Sequence, residues 1–218
     1  MFRRSSLTGA KHYAPESDML TINSVFLGDI CVDEERYAEA EIHYRQALEV
    51  DESSDNLAGM IREVELLSRL VIRQDRPSEA LPLAERAVAL ETRSARAFAQ
   101  KQGMDPDQYR IFSTTSLPAL HFCRGEFDEA ARLYASQIAN WKSRANRPGN
   151  IDLGYLNMQL ALSEQRLGHL DEAISAYDEA AREFEREWCE GHPKVLAARK
   201  AKAAVVEARG NAHPESAL

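Results

Sequence analysis

The sequence predicts an all-α fold, a solenoid of about four antiparallel helix pairs followed by one C-terminal helix. Glycine and proline are few, at 10 and 8, and aromatic residues make up 7% of the chain, which favours helices over short strands joined by many turns. A turn followed by a small residue at the same helical position recurs about every 40 to 50 residues, a period typical of helical repeats. The recurring alanines are Ala40, Ala80, Ala130, Ala173 and, weakly, Ala217.

The clearest copy of this pattern lies in residues 160–181. Ala173, Tyr177 and Ala180 follow one another at positions i, i+4 and i+7, so they share one face of a helix. A small, an aromatic and a small residue on one face allow two helices to approach closely and interlock. We therefore interpret these three as packing residues and not as a site.

The first unit is predicted at about residues 17–53. Residues 1–16 lack hydrophobic periodicity and are expected to form a flexible N-terminal arm, while residues 17–218 form one repeat domain. A helix is expected to run to about Asp33, and a charged turn leads to a second helix that begins near Tyr37. The apolar residues assigned to the first helix are Leu20, Phe26, Leu27 and Ile30, and the second helix carries Ala40, Tyr44, Ala47 and Leu48.

The second and third units are predicted at about residues 54–103 and 104–147. The second helix of unit two carries Ala80, Ala84 and Ala87 and is expected to end at Gly103, because glycine favours the left-handed conformation at a helix C-terminus. In unit three, Pro118 predicts a kink or break near Ser116, because proline costs roughly 3 kcal/mol in a helix interior.

The fourth unit is predicted at about residues 150–190, and a C-terminal capping helix at 193–210. The turn of the fourth unit repeats the turn of unit three almost residue for residue. Gly191, His192 and Pro193 separate the fourth unit from the last helix. An unpaired terminal helix exposes apolar surface, so a homo-oligomer formed through the terminal helices is one expectation. The apolar residues concerned are Val195, Leu196, Val205 and Val206.

These motifs resemble the tetratricopeptide repeat. The resemblance rests on Leu27-Gly28 followed by Tyr37, Ala40, Tyr44 and Ala47, and on Leu160-Ala161 followed by Gly168, Ala173, Tyr177 and Ala180. The long period and the linker Trp188–Val195 are similar to the repeats of kinesin light chains. The resemblance implies a right-handed superhelical solenoid whose first helices line a concave groove, and a non-catalytic scaffold or adaptor that binds a protein or peptide there.

A row of arginines is the main candidate for partner binding. Arg62, Arg69 and Arg73 share one face of the first helix in unit two, and arginine is suited to bidentate pairing with a carboxylate. The alternative is a solvated face balanced by Glu63 and Glu65. By register, the predicted groove also includes Asp29, Tyr155, Met158, Gln165 and Arg166.

The resemblance also argues against one ligand. Members of the family that bind chaperones hold a C-terminal carboxylate with lysine and asparagine on successive first helices. In this chain Val25 stands at the lysine position and Asp29 at the asparagine position. An aspartate there would repel a carboxylate, so we do not expect that clamp.

Composition and charge limit the other classes of partner. With 35 acidic and 27 basic residues the formal net charge is −8, so neither nucleic acid nor a membrane surface is expected as a partner. Cys31, Cys123 and Cys189 are odd in number and far apart, which favours reduced thiols and a cytoplasmic location.

No motif indicates catalysis, and we expect neither an enzyme nor a cofactor nor a metal. The HExxH and GxSxG patterns and a phosphate-binding glycine loop are missing from the sequence. His121 and Cys123 stand two positions apart on a helix and face in different directions. Two alternatives to the scaffold stay open: a regulatory or sensor module whose superhelix responds to a peptide or small ligand, and self-assembly through the open ends of the solenoid.

Overall fold

The computed structural model describes residues 16–105, 116–144 and 151–212. Within these ranges the chain is entirely helical, with nine helices and no strand. The helices are α1 (Glu16–Asp33), α2 (Tyr37–Ser53), α3 (Leu57–Arg73), α4 (Pro77–Gln102), α5 (Leu117–Cys123), α6 (Phe127–Arg144), α7 (Ile151–Leu167), α8 (Leu170–Glu187) and α9 (Pro193–Ala212). The predicted N-terminal arm lies outside the described residues, apart from Glu16.

Each helix packs chiefly against the next one in the chain. The pairs α1–α2, α3–α4, α5–α6 and α7–α8 pack side by side, and α9 packs against α8. Contacts of α2 with α3, α4 with α5 and α6 with α7 join the pairs into one stack. Because every helix shares its apolar surface with the helices before and after it, the core is continuous along the stack. The predicted all-α helical-repeat solenoid is confirmed.

The recurring small and aromatic residues form the centre of this packing, as the sequence predicts. Ala40 and Ala47 are completely buried with Tyr44 between them. Ala173, Tyr177 and Ala180 repeat the arrangement in α8. In α4 the corresponding positions are all alanine: Ala80, Ala84 and Ala87. They are also completely buried, so α3 and α4 approach each other without an aromatic ring between them.

All four helix pairs turn with the same backbone geometry. A residue one or two positions after the end of the first helix adopts a left-handed conformation, and the next amide donates a hydrogen bond back to the carbonyl five residues earlier, as from Arg36 to Cys31 at 2.8 Å. This is the Schellman arrangement that ends many helices. The left-handed residues, in chain order, are Glu35, Asp75, Gly125 and Gly168.

Proline and glycine mark two helix ends at the predicted positions. Helix α4 ends at Gln102 with Gly103 in the left-handed conformation. Helix α5 begins at Leu117, so the break expected near Ser116 is the N-terminus of this helix, and Pro118 lies in its first turn. An amide hydrogen there has no partner within the helix, so proline is tolerated. The upstream residues 106–115 lie outside the described ranges.

Helix α1 presents a large part of its apolar surface to solvent. The four apolar residues assigned to it from the sequence, Leu20, Phe26, Leu27 and Ile30, all lie on the helix and are exposed, Phe26 to 62%. Helix α1 instead packs on α2 through the opposite face, where Thr21, Gly28 and Cys31 are buried. Among the described residues no helix pair precedes α1, so nothing there covers the outer face.

Exposure was predicted for four apolar residues of α9, and the prediction was wrong for two of them. Val195 and Val205 are buried against α8, while Leu196 and Val206 are exposed. Helix α9 therefore covers the end of the stack with one face and presents a largely polar face to solvent. Among the described helices none is long and apolar enough to cross a membrane.

Candidate functional site

A cavity of about 80 Å³ lies where the first helix pair meets α3 and the last three helices. Its lining comes from α1, α2, α3, α7, α8 and α9, so residues more than 160 positions apart in sequence face one space. The apolar part of the lining consists mainly of Val32, Leu66, Leu70, Met158 and Leu162. The charged and amide side chains are Asp29, Arg69, Arg73, Gln159 and Lys194.

Five of the eight residues predicted for the groove line this cavity: Asp29, Arg69, Arg73, Tyr155 and Met158. The other three lie elsewhere. Arg62 pairs with Glu63, with 2.7 Å between guanidinium and carboxylate, and Arg166 pairs with Asp75. Gln165 accepts a hydrogen bond from the Tyr177 hydroxyl at 3.3 Å. The helical rise explains why Arg62 lies outside the cavity, because it is roughly 10 Å from Arg69 along the α3 axis.

The guanidinium groups of Arg69 and Arg73 rest on aromatic rings. The Cζ atom of Arg69 is 5.1 Å from the centre of the Tyr155 ring, and that of Arg73 is 5.5 Å from the centre of the Tyr37 ring. Such stacking orients a guanidinium while leaving its edge free for hydrogen bonds. Neither arginine forms an ion pair with a carboxylate in the parts of the chain that the structure describes, so the cavity wall on α3 is cationic.

Two tyrosines next to these charges remain neutral hydroxyl donors. The hydroxyl of Tyr44 donates to Oδ1 of Asp29 at 2.7 Å. Burial, and then the charge of Asp29, raise the pKa of Tyr44 far above its usual range. Burial also raises the pKa of Tyr155, although Lys194 and Arg69 act in the opposite direction. Neither tyrosine therefore ionises near neutral pH.

Two ion pairs join the first helix pair to α9, and we call them the clasp: Asp33–Lys194 and Glu35–Lys200. The Asp33–Lys194 pair, at 2.9 Å, is largely buried, with side chains 18% and 13% exposed. Burial acts to lower the pKa of Lys194, but Tyr155 and Asp33 outweigh it and raise the pKa. The Glu35–Lys200 pair, at 2.7 Å, is exposed to solvent. The clasp closes the stack around the cavity.

Sequence reasoning did not identify Lys194 and Gln159 as residues of this site. Lys194 follows the Gly-His-Pro break and belongs to a helix interpreted only as a cap, so only the tertiary structure reveals its role. Its ammonium group also lies 5.1 Å from the centre of the Trp188 ring. Gln159 is next to the predicted Met158, is only 8% exposed, and its Oε1 atom has no hydrogen-bond partner among the described residues.

The arrangement supports binding more readily than reaction. Burial raises the pKa of the Cys123 thiol to about 11, so that thiol is not an activated nucleophile. His121 interacts with Glu126 at the surface. In the described ranges no three histidine, cysteine or acidic side chains lie close enough together to hold a metal ion. What the cavity offers is a cationic wall, hydrogen-bonding groups and an apolar lining.

Comparison with known proteins gives a family match and matches to solved structures. A model of the tetratricopeptide repeat matches residues 25–54, which include the second half of α1 and all of α2. The crystal structure of MamA protein resembles the chain at 18% identity, with 92% of this chain and 97% of that chain covered and a TM-score of 0.36. No curated protein matches the sequence. Residues 25–54 therefore form a tetratricopeptide repeat, and the predicted resemblance is confirmed.

Proposed function

We propose that the protein is a non-catalytic scaffold or adaptor that binds a protein or peptide at the cavity between its first and last helix pairs. The observation that carries the proposal is that the charged residues of α1, α3 and α9 converge on one partly apolar cavity. The tetratricopeptide repeat at residues 25–54 supports it further, because helical repeats commonly act through their inner surface.

The size of the cavity limits how a partner engages. A volume of about 80 Å³ accepts one side chain but no extended segment. An acidic side chain of the partner would meet the guanidinium groups of Arg69 and Arg73, while an apolar neighbour would contact Met158 and Leu162. A longer segment would have to run along the rim, or would require the clasp to open.

Site-specific photo-crosslinking tests the proposal. A photo-reactive amino acid at Met158 reports on the cavity, and one at Arg132, on the exposed surface of α6, is the matched control. In extracts of the native cell we expect a discrete crosslinked partner from position 158 only. The substitutions Arg69→Glu and Tyr155→Ala should then abolish the crosslink. Equal products from both positions, or products unaffected by either substitution, would refute the proposal.

Self-association through the terminal helices is the second candidate. The exposed apolar residues of α1 support it, while the burial of Val195 and Val205 removes part of the original reason for it. Sedimentation velocity over a hundredfold concentration range tests self-association. A single monomeric species throughout would eliminate self-association and leave the scaffold proposal unaffected. A cytoplasmic location, predicted from cysteine usage, belongs to the same proposal.

A further inference from the structure

We propose that the cavity binds one molecule of a small carboxylate that carries a hydroxyl or amino group on the adjacent carbon. This inference goes beyond the binding of a protein partner and does not depend on it. It rests on three properties of the same cavity: its cationic wall, an unpartnered buried amide and its volume.

The first property is an excess of positive charge. Arg69, Arg73 and Lys194 face the cavity, together with one acidic side chain, Asp29, whose repulsion of a carboxylate these cations outweigh. Lys194 is bonded to Asp33, but the two arginines have no ion pair with a described residue. Because Arg69 and Arg73 are one helical turn apart on α3, both guanidinium edges can reach the same carboxylate. The partial burial of the site limits screening by salt.

The second property is an unmet hydrogen bond. Oε1 of Gln159 is buried without a partner among the described residues, and a buried polar atom of this kind is unfavourable unless a ligand or water satisfies it. Asp29, on the other side of the cavity, already accepts a bond from Tyr44 through Oδ1. A hydroxyl on the ligand would donate to one of these acceptors, and an ammonium group would donate to both. The ligand therefore carries a hydroxyl or amino group beside its carboxylate.

The third property is size. A volume of about 80 Å³ corresponds to roughly six non-hydrogen atoms when about 10–15 Å³ of such volume accommodates one water-sized atom. Lactate and alanine each have this number of atoms. The side chains of Val32, Leu66 and Leu70 would contact a short alkyl group. A nucleotide or a folded peptide element is too large for a volume of about 80 Å³.

Isothermal titration calorimetry of the full-length protein at low ionic strength, in a buffer free of carboxylates, tests the inference. The probes are L-lactate, L-alanine, propionate and lactamide. We expect saturable binding of lactate or alanine with one site per chain. Propionate, which lacks the donor, should bind roughly 10-fold more weakly. Lactamide, which lacks the negative charge, should not bind.

Three variants identify the site. Arg69→Gln should weaken binding of the preferred acid by roughly 10-fold or more. Gln159→Leu should remove the preference over propionate. Arg62→Gln, on the same helix but outside the cavity, should leave binding unchanged. The inference is overturned if no acid binds saturably up to tens of millimolar, or if Arg62→Gln weakens binding as much as Arg69→Gln does. Carboxylate binding without crosslinking at position 158 would support this inference and contradict the scaffold proposal.

Discussion

At the scale of single residues, the helix contacts depend on glycines that lie beneath aromatic rings. A Cβ atom placed on Gly28 would lie 2.4 Å from Cε1 of Tyr44, and one on Gly154 would lie 2.2 Å from Cε1 of Phe184. Both rings are almost completely buried, so neither can move away. The absence of a side chain therefore sets the distance between the two helices of units one and four.

The substitution Gly28→Ala should destabilise the protein by about 1–3 kcal/mol, because the added methyl group overpacks the buried contact with Tyr44. The control is Gly210→Ala near the end of α9, where a Cβ would meet nothing within 4 Å. There alanine should raise stability by up to about 1 kcal/mol through its higher helix propensity. Urea denaturation followed by circular dichroism measures both free energies of unfolding. Equal effects would contradict the packing role of Gly28.

Glu63 illustrates a second property of individual residues, namely burial of a carboxyl group. Its side chain is fully buried on α3 beside Asp51 and bonded to Arg62. Burial, and then the neighbouring Asp51, raise the pKa of Glu63 to about 7 against the opposing effect of Arg62. Arg62 thus belongs to a cluster of charged side chains that stabilises the fold. For Arg62 this agrees with the alternative that Glu63 balances its charge.

This pKa predicts how stability depends on pH. Between about pH 4.5 and 7 the folded protein binds more protons at Glu63 than the unfolded chain does, so the free energy of unfolding falls as pH rises through this window. In Glu63→Gln that fall in the free energy of unfolding, about 3 kcal/mol over the whole window in the wild type, should disappear. Urea denaturation at pH 5, 6, 7 and 8 measures it. The control is Glu79→Gln, because Arg76 lowers the pKa of Glu79. The stability of this variant should follow the same pH dependence as that of the wild type above pH 5.

At the scale of whole helices, α1 and α8 use aromatic residues in opposite ways. Phe26 on α1 is exposed, whereas Phe184 on α8 is buried against Tyr155 with ring centres 5.4 Å apart. Sequence periodicity cannot distinguish these cases, because α1 has apolar residues around most of its circumference. The periodicity therefore predicts the packing face of α8 but does not single out a packing face on α1.

Replacing each phenylalanine by alanine tests this difference. Phe184→Ala should cost about 3–5 kcal/mol, because it leaves a cavity in the core. Phe26→Ala should change stability by less than about 0.5 kcal/mol, as expected for an exposed position. Thermal and urea denaturation at low protein concentration measures both. A large loss of stability in Phe26→Ala would mean that its side chain is buried in solution.

At the scale of the whole molecule, the clasp decides whether the cavity is closed. Asp33–Lys194 and Glu35–Lys200 join residues separated by 161 and 165 positions. The first pair is largely buried and the second is exposed, so only the second should be strongly weakened by salt. We therefore expect loss of the buried pair to open the solenoid more than loss of the exposed pair.

Lys194→Ala should leave the partly buried Asp33 without its ion-pair partner and increase the radius of gyration measured by small-angle X-ray scattering. Lys200→Ala should have a smaller effect, because exposed ion pairs contribute about 0–1 kcal/mol. The control is Lys202→Ala, which breaks a pair with Asp178 between the neighbouring helices α8 and α9. That variant should keep the wild-type radius. An unchanged radius in Lys194→Ala would show that the clasp does not hold the stack closed.

The sequence by itself determined the local features of this protein. Helix pairs, turns and the buried Ala-Tyr-Ala faces follow from periodicity and backbone preference, which act over distances of a few residues. Residues Asp29, Arg69 and Tyr155 could also be assigned to one side of their helices by register. Such reasoning is reliable wherever neighbours in sequence are neighbours in space.

Only the tertiary structure decided which of these surfaces meet. The curvature of the stack accumulates small rotations over several helix pairs, and no local pattern encodes their sum. That curvature brings Lys194 opposite Asp33. The cavity exists because the two ends of the solenoid approach each other, and its chemistry is set by side chains that no single repeat contains.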